Sequence, residues 1–175
     1  MSPVDESRLR RPQSVGRRWV ERTSRISFAI RGDAGEAPML QRPWAQRARD
    51  AGSVDEFLSD VASVMVAAQR RSAGLIVAAF EAANQDDSMS RLADQLRAQR
   101  AETASWIVDG LIGRGALRSE LTRERAVDTI WLLMDPHGFR ALVRDRGWAP
   151  EQFEAWFIDS VVRLLSDPNR KRRTK

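Results

Sequence analysis

The sequence contains no cysteine and a single histidine among its 175 residues. The lack of cysteine excludes disulfide bonds, thiolate catalysis and metal sites with cysteine ligands. His137 has no partners at the spacings that zinc ligands on helices use. No serine or threonine stands in a nucleophile motif. We therefore expect no enzyme activity, no bound metal and no cofactor.

Long apolar runs are also missing. No stretch approaches the roughly 20 apolar residues that are needed to cross a bilayer. The arginine-rich N-terminus does not lead into the apolar core and small-residue cleavage site of a signal peptide. We therefore expect a cytoplasmic protein without a membrane partner.

The net charge of +5 is unevenly distributed. Residues 1–31 carry eight arginines and three acidic residues, and residues 170–175 add five positive charges. Residues 32–169 are consequently acidic, with a net charge of −5. Basic ends can hold a polyanion by counterion release, but neither end interleaves aromatic residues. We interpret residues 1–31 as mostly disordered and residues 168–175 as a solvated basic tail.

The pattern of apolar residues is helical throughout, and no stretch alternates with period two over strand length. A short helix over 19–30 and a proline-containing connector, with Trp44 beside it, are expected first. The main helices are predicted over about 53–71, 73–84, 88–112, 123–134 and 136–147, with a sixth that begins at 150. Their starts carry capping residues or proline, and the fourth is apolar enough to be buried nearly all round. The predicted fold class is an all-α helical bundle.

The helix that begins at Pro150 has an unusually wide apolar surface. Its apolar residues cover roughly 240° of the helix, against the stripe of about 100° that a surface helix normally shows. Too few neighbours within the chain remain to cover this surface. We therefore predict a homodimer whose interface includes Phe153, Trp156, Phe157, Val161 and Leu164.

Three segments, 115–131, 136–139 and 146–156, carry a resemblance to a known family. Their order and spacing, with two helix hairpins before them, resemble the C-terminal ligand-sensing and dimerising domain of TetR-family transcriptional regulators. The resemblance covers residues 32–167. It implies a bundle that binds a small apolar ligand, pairs through its last two long helices and controls transcription.

The DNA-binding unit of such regulators is not recognisable in this sequence. That unit is a three-helix segment that reads DNA with a helix-turn-helix. Here, only residues 26–33 resemble part of such a protein, namely the end of the helix that follows the DNA-binding unit. One alternative is that a helix-turn-helix is encoded upstream of Met1, and DNA binding would require this. The other is that the protein has lost its DNA-binding unit. In the second case the chain is a stand-alone ligand-binding or dimerisation module.

The predicted third helix is the expected wall of a ligand pocket. Gln99 and Thr103 lie on its otherwise apolar stripe and can orient a ligand by hydrogen bonding. Alternatively, Gln99 binds a neighbouring helix and the Thr103 hydroxyl bonds back to its own helix. Apolar residues at this spacing are also typical of a simple core. The predicted ligand-binding residues are Met65, Phe80, Leu96, Gln99, Thr103, Trp106 and Trp131.

Overall fold

The computed structural model describes residues 39–85 and 87–167, and these residues form helices without any β-strand. The predicted all-α helical bundle is therefore confirmed. A 3-10 turn (Met39–Gln41) comes first, and a π-helical turn (Ala141–Asp145) follows the fifth helix. The predicted helix at 19–30 and both basic ends lie outside the described residues. The α-helices are α1 (Pro43–Asp50), α2 (Val54–Ala82), α3 (Asp87–Gly113), α4 (Arg123–Leu133), α5 (Pro136–Arg140) and α6 (Pro150–Leu165).

Local signals in the sequence set where the helices begin. The Ser53 hydroxyl accepts a hydrogen bond from the Glu56 N–H at 3.1 Å, which caps α2. Thr122 caps α4 in the same way. Pro136 and Pro150 occupy the first positions of α5 and α6, where a missing N–H leaves no hydrogen bond unmade. These starts agree with the sequence prediction.

The predicted break after Arg71 is wrong, because α2 is one continuous helix of 29 residues. Ser72 does not interrupt it, since its hydroxyl bonds back to the Ala68 carbonyl at 2.8 Å within the helix. Buried apolar residues continue in register on both sides of this point, including Val66 and Ala73. The predicted connector at Pro43 is likewise helical and forms the start of α1.

Helix α2 is the centre of the bundle and packs against α1, α3, α5 and α6. The largest fully buried side chains include Phe57, Ile107 and Ile130. The prediction that α4 is buried nearly all round is wrong within this chain. Only Ala126 and Ile130 of α4 are buried, and Leu132 is 67% exposed. Helix α4 therefore presents one apolar side to the core and another to the surface.

A close approach between α2 and α3 occurs at Gly110. A Cβ atom built on this glycine would lie 2.4 Å from Cζ of Phe57. The Phe57 ring is only 1% exposed and packs against Trp106, with ring centroids 5.6 Å apart. Because the ring is enclosed in a densely packed core, it has little room to move away.

Replacement of Gly110 by alanine is expected to destabilise the fold by about 1–2 kcal/mol, because overpacking outweighs the better helix propensity of alanine. The matched control is Gly74→Ala in α2, where an added Cβ meets no atom within 4 Å. This control should gain about 0.5–1 kcal/mol. Urea unfolding followed by circular dichroism measures both changes. Equal stabilisation of the two variants would contradict the close packing at Gly110.

Candidate ligand-binding site

A cavity of about 480 Å³ lies between the 3-10 turn, α1, α2, α3 and the start of α5. This volume is within the range of about 300–1,000 Å³ that is typical of small-molecule sites. Its wall is mainly apolar, with Val61 and Ile76 from α2 and with Met134 and Pro136 from the connection between α4 and α5. The cavity can therefore accept a largely apolar molecule.

Five of the seven predicted ligand-binding residues line this cavity, and two do not. Trp106 instead packs against Trp44, a wall residue, with ring centroids 5.6 Å apart. Trp131 covers the guanidinium group of Arg100, whose Cζ lies 3.7 Å from the ring centroid. The prediction of these two tryptophans as wall residues is thus corrected, because each lies one layer behind the wall. The five that line it are Met65, Phe80, Leu96, Gln99 and Thr103.

Gln99 and Thr103 are not the principal polar groups of the cavity. The Thr103 hydroxyl donates a hydrogen bond to the Gln99 carbonyl at 2.9 Å, so it bonds back to its own helix. Gln99 itself is exposed, as is Glu102. Gln99 and Glu102 therefore lie on the solvent side of the site.

The most deeply buried polar residue of the wall with an unpaired acceptor is Gln69 of α2, which is not among the predicted site residues. Its side chain is buried, and its Nε2 donates a hydrogen bond to the Met134 carbonyl at 2.8 Å. Because a carbonyl oxygen only accepts, this bond fixes the orientation of the amide. The other amide atom, Oε1, is buried without a hydrogen-bond partner. Gln69 follows Met65 by four residues on the same helix face, and that spacing was the signal available in the sequence.

Arg100 of α3 is the second polar wall residue that sequence reasoning missed. Its Nη1 lies 2.6 Å from Oδ2 of Asp135, and its side chain is only 10% exposed. The Nε atom of Arg100 is buried without a partner, and so is Nε1 of Trp44. The wall residues thus contribute two unpaired donors and, from Gln69, one unpaired acceptor.

Asp135 is charged at neutral pH despite its position. Burial acts to raise the pKa of Asp135, but the hydrogen bond from the His137 N–H and the charge of Arg100 outweigh it, so the pKa lies below its usual value. Burial lowers the pKa of Arg100, and Asp135 opposes this effect. Arginine nevertheless stays protonated in proteins. The two side chains therefore form a compensated ion pair at the cavity.

The second predicted site, the α6 surface, is divided by the fold. Phe153, Phe157 and Val161 are at most 1% exposed, because α6 packs this face onto the core of its own chain. Their prediction as dimer contacts is therefore corrected. Trp156 is half-buried, and Leu164 is 51% exposed. Only the flanks of the wide apolar face remain available.

No family model, curated protein or solved structure matches this chain. Within residues 39–85 and 87–167, none of the helices is both long and apolar enough to span a membrane. The same residues contain no group of three or more histidine, aspartate or glutamate side chains placed to hold a metal ion.

Replacement of Asp135 by asparagine is expected to lower the free energy of unfolding by about 1–3 kcal/mol near neutral pH, because Arg100 loses its charged partner. Asparagine keeps the ability to cap α5. A carboxylate whose pKa is lowered by folding stabilises the fold at any pH above its ordinary, unfolded-state pKa. This contribution is lost as the pH falls through the folded-state pKa. The difference between the two proteins should therefore narrow below about pH 4.

Urea unfolding at a series of pH values measures this difference. The matched control is Asp94→Asn, which removes a surface ion pair with Arg97 in which the Asp94 side chain is 71% exposed. Its effect should stay below about 1 kcal/mol at every pH. A difference for Asp135→Asn that does not depend on pH would contradict the assigned ion pair.

Proposed function

We propose that the protein is a TetR-like transcriptional regulator whose helical domain binds a small, mainly apolar ligand and dimerises in the cytoplasm. The observation that carries the proposal is the mainly apolar cavity between α2 and α3. Three of the residues that line it also have a buried polar atom without a hydrogen-bond partner. The resemblance of segments 115–131, 136–139 and 146–156 to the sensing domain of that family supports the assignment.

In this proposal, the ligand acts by favouring one packing of the helices over another. It does so only through its different affinity for the two packings, typically worth about 1–3 kcal/mol. In a complete regulator, the shift changes the separation of the two DNA-binding units of the dimer. These units must match DNA half-sites that lie about one turn of the double helix apart. The proposed ligand would thereby control operator binding.

The partner in this proposal is a second copy of the chain. Three apolar side chains on α4 and α6 remain in solvent: Leu132 is 67% exposed, Leu164 is 51% exposed and Val162 is 37% exposed. The two helices contact each other, so they can present one combined surface. The family resemblance implies a dimer built from the last two long helices, and this surface lies on such helices.

Replacement of Leu164 by aspartate is expected to weaken dimerisation at least about 30-fold, which corresponds to about 2 kcal/mol, because a charge would enter an apolar interface. The matched control is Leu75→Asp in α2, which is 45% exposed and lies outside α4 and α6. Sedimentation velocity at micromolar concentration should show a dimer for the control and a monomer for Leu164→Asp. A monomeric parent protein would contradict the proposed dimer.

The DNA-binding part of the proposal is tested with the purified full chain and labelled DNA from the promoter next to its gene. Regulation by this chain requires specific retardation that weakens as the salt concentration rises, because phosphate contacts release counterions. Absent or salt-insensitive binding, with the dimer retained, favours the alternative of a stand-alone ligand-binding or dimerisation module.

A further inference from the structure

Three buried atoms without partners indicate the chemistry of the ligand. They belong to three residues that line the cavity: Trp44 Nε1 and Arg100 Nε are donors, and Gln69 Oε1 is an acceptor. Buried polar groups are nearly always hydrogen-bonded in folded proteins. A donor or acceptor that stays unpaired keeps its full desolvation cost. All three atoms are covered by neighbouring protein atoms, so a ligand that supplies the complementary groups removes this cost once these side chains turn toward the cavity.

The charges around the cavity argue against an ionic ligand. Arg100 is already paired with Asp135, and its guanidinium face is covered by Trp131. Among the described wall residues, the other charged side chain is Glu102, which is exposed. An anion would therefore meet no unpaired cation inside the cavity, and a cation would meet no unpaired buried carboxylate. Burying an ion without a partner is strongly unfavourable.

We propose that the cavity binds a neutral, mainly apolar molecule that carries both a carbonyl oxygen and an N–H or O–H group. The carbonyl oxygen accepts a hydrogen bond from Trp44 Nε1 or Arg100 Nε. The N–H or O–H group donates to Gln69 Oε1, which has no partner in the protein. The amide cannot reverse its orientation without breaking the hydrogen bond from Nε2 to the Met134 carbonyl. This inference rests on the proposed ligand-sensing function and specifies the class of ligand.

The orientation of the Gln69 amide is the part of the site that selects a donor. An unprotonated carboxylate offers only acceptors, and an ammonium offers only donors. Neither can satisfy the unpaired donors and the unpaired acceptor together. A primary amide is neutral and has both a carbonyl oxygen and an NH₂ group, so it supplies an acceptor and a donor.

The experiment compares three probes with the same eight-carbon chain length: octanamide, octanoate and octylammonium. Isothermal titration calorimetry of the full chain near neutral pH measures each affinity. Octanamide is expected to bind saturably, with a Kd at least about tenfold below those of the two ions, because it enters the cavity without the desolvation of a charge.

Two variants assign the hydrogen bonds. Trp44→Phe removes the indole N–H but keeps an aromatic wall, and Gln69→Leu removes the acceptor. Each change should raise the Kd of octanamide about threefold to tenfold, the range of one hydrogen bond. The matched control is Trp148→Phe, which removes an indole from the pair with Trp156, outside the cavity wall. It should leave the Kd unchanged, and circular dichroism should confirm that all variants are folded.

The outcomes separate this inference from the proposed function. Octanoate or octylammonium binding as tightly as octanamide overturns the inference of a neutral ligand but leaves a ligand-binding cavity in place. Octanamide binding that neither variant weakens also overturns the inference, since the ligand would then form no hydrogen bond with Trp44 Nε1 or Gln69 Oε1. The absence of saturable binding by every probe at millimolar concentration overturns both proposals.

Discussion

The ion pair between Arg100 and Asp135 is the interaction on which the geometry of the cavity depends. It joins the middle of α3 to the residue that caps α5, across a distance of 2.6 Å between Nη1 and Oδ2. Asp135 also accepts a hydrogen bond from the His137 N–H at 2.7 Å, so one carboxylate fixes both a helix start and a helix contact. Removing either partner would leave a charge in a mostly desolvated place, which is why such pairs hold their positions firmly.

This pair connects the cavity to the rest of the bundle. The neighbours of Asp135 in the chain, Met134 and Pro136, both line the cavity, and the Met134 carbonyl holds Gln69. Further along α5, the ring of Phe139 packs edge to face on Phe153 of α6, with centroids 4.9 Å apart. In the proposed regulator, a ligand that binds Gln69 or Arg100 therefore contacts residues that pack against the start of α5. Helix α5 in turn packs against α6, which carries part of the proposed dimer surface.

The sequence was sufficient for the fold class and for most helix starts, because caps such as Ser53 and Thr122 act within one helical turn. It was not sufficient for the continuity of α2, which depends on packing that extends past Arg71. For the site, periodicity located Met65 and Leu96 but not the unpaired polar atoms, since those depend on contacts between helices. Periodicity likewise indicated how much of the α6 surface is apolar. Which part of that surface is buried in the core and which part is exposed depends on tertiary packing.

The cavity exists because two apolar clusters approach each other without merging. Its wall takes Val61 and Met65 from the main core, and Leu96 with its neighbour Phe80 from a smaller cluster near the α2–α3 connection. Between them stand Gln69, Ser72 and Arg100, all of which line the same space. Apolar side chains at these positions would join the clusters and fill the gap, which would stabilise a simple bundle. In the proposed regulator, the unpaired polar atoms of the wall residues would be a local loss of stability that ligand recognition requires.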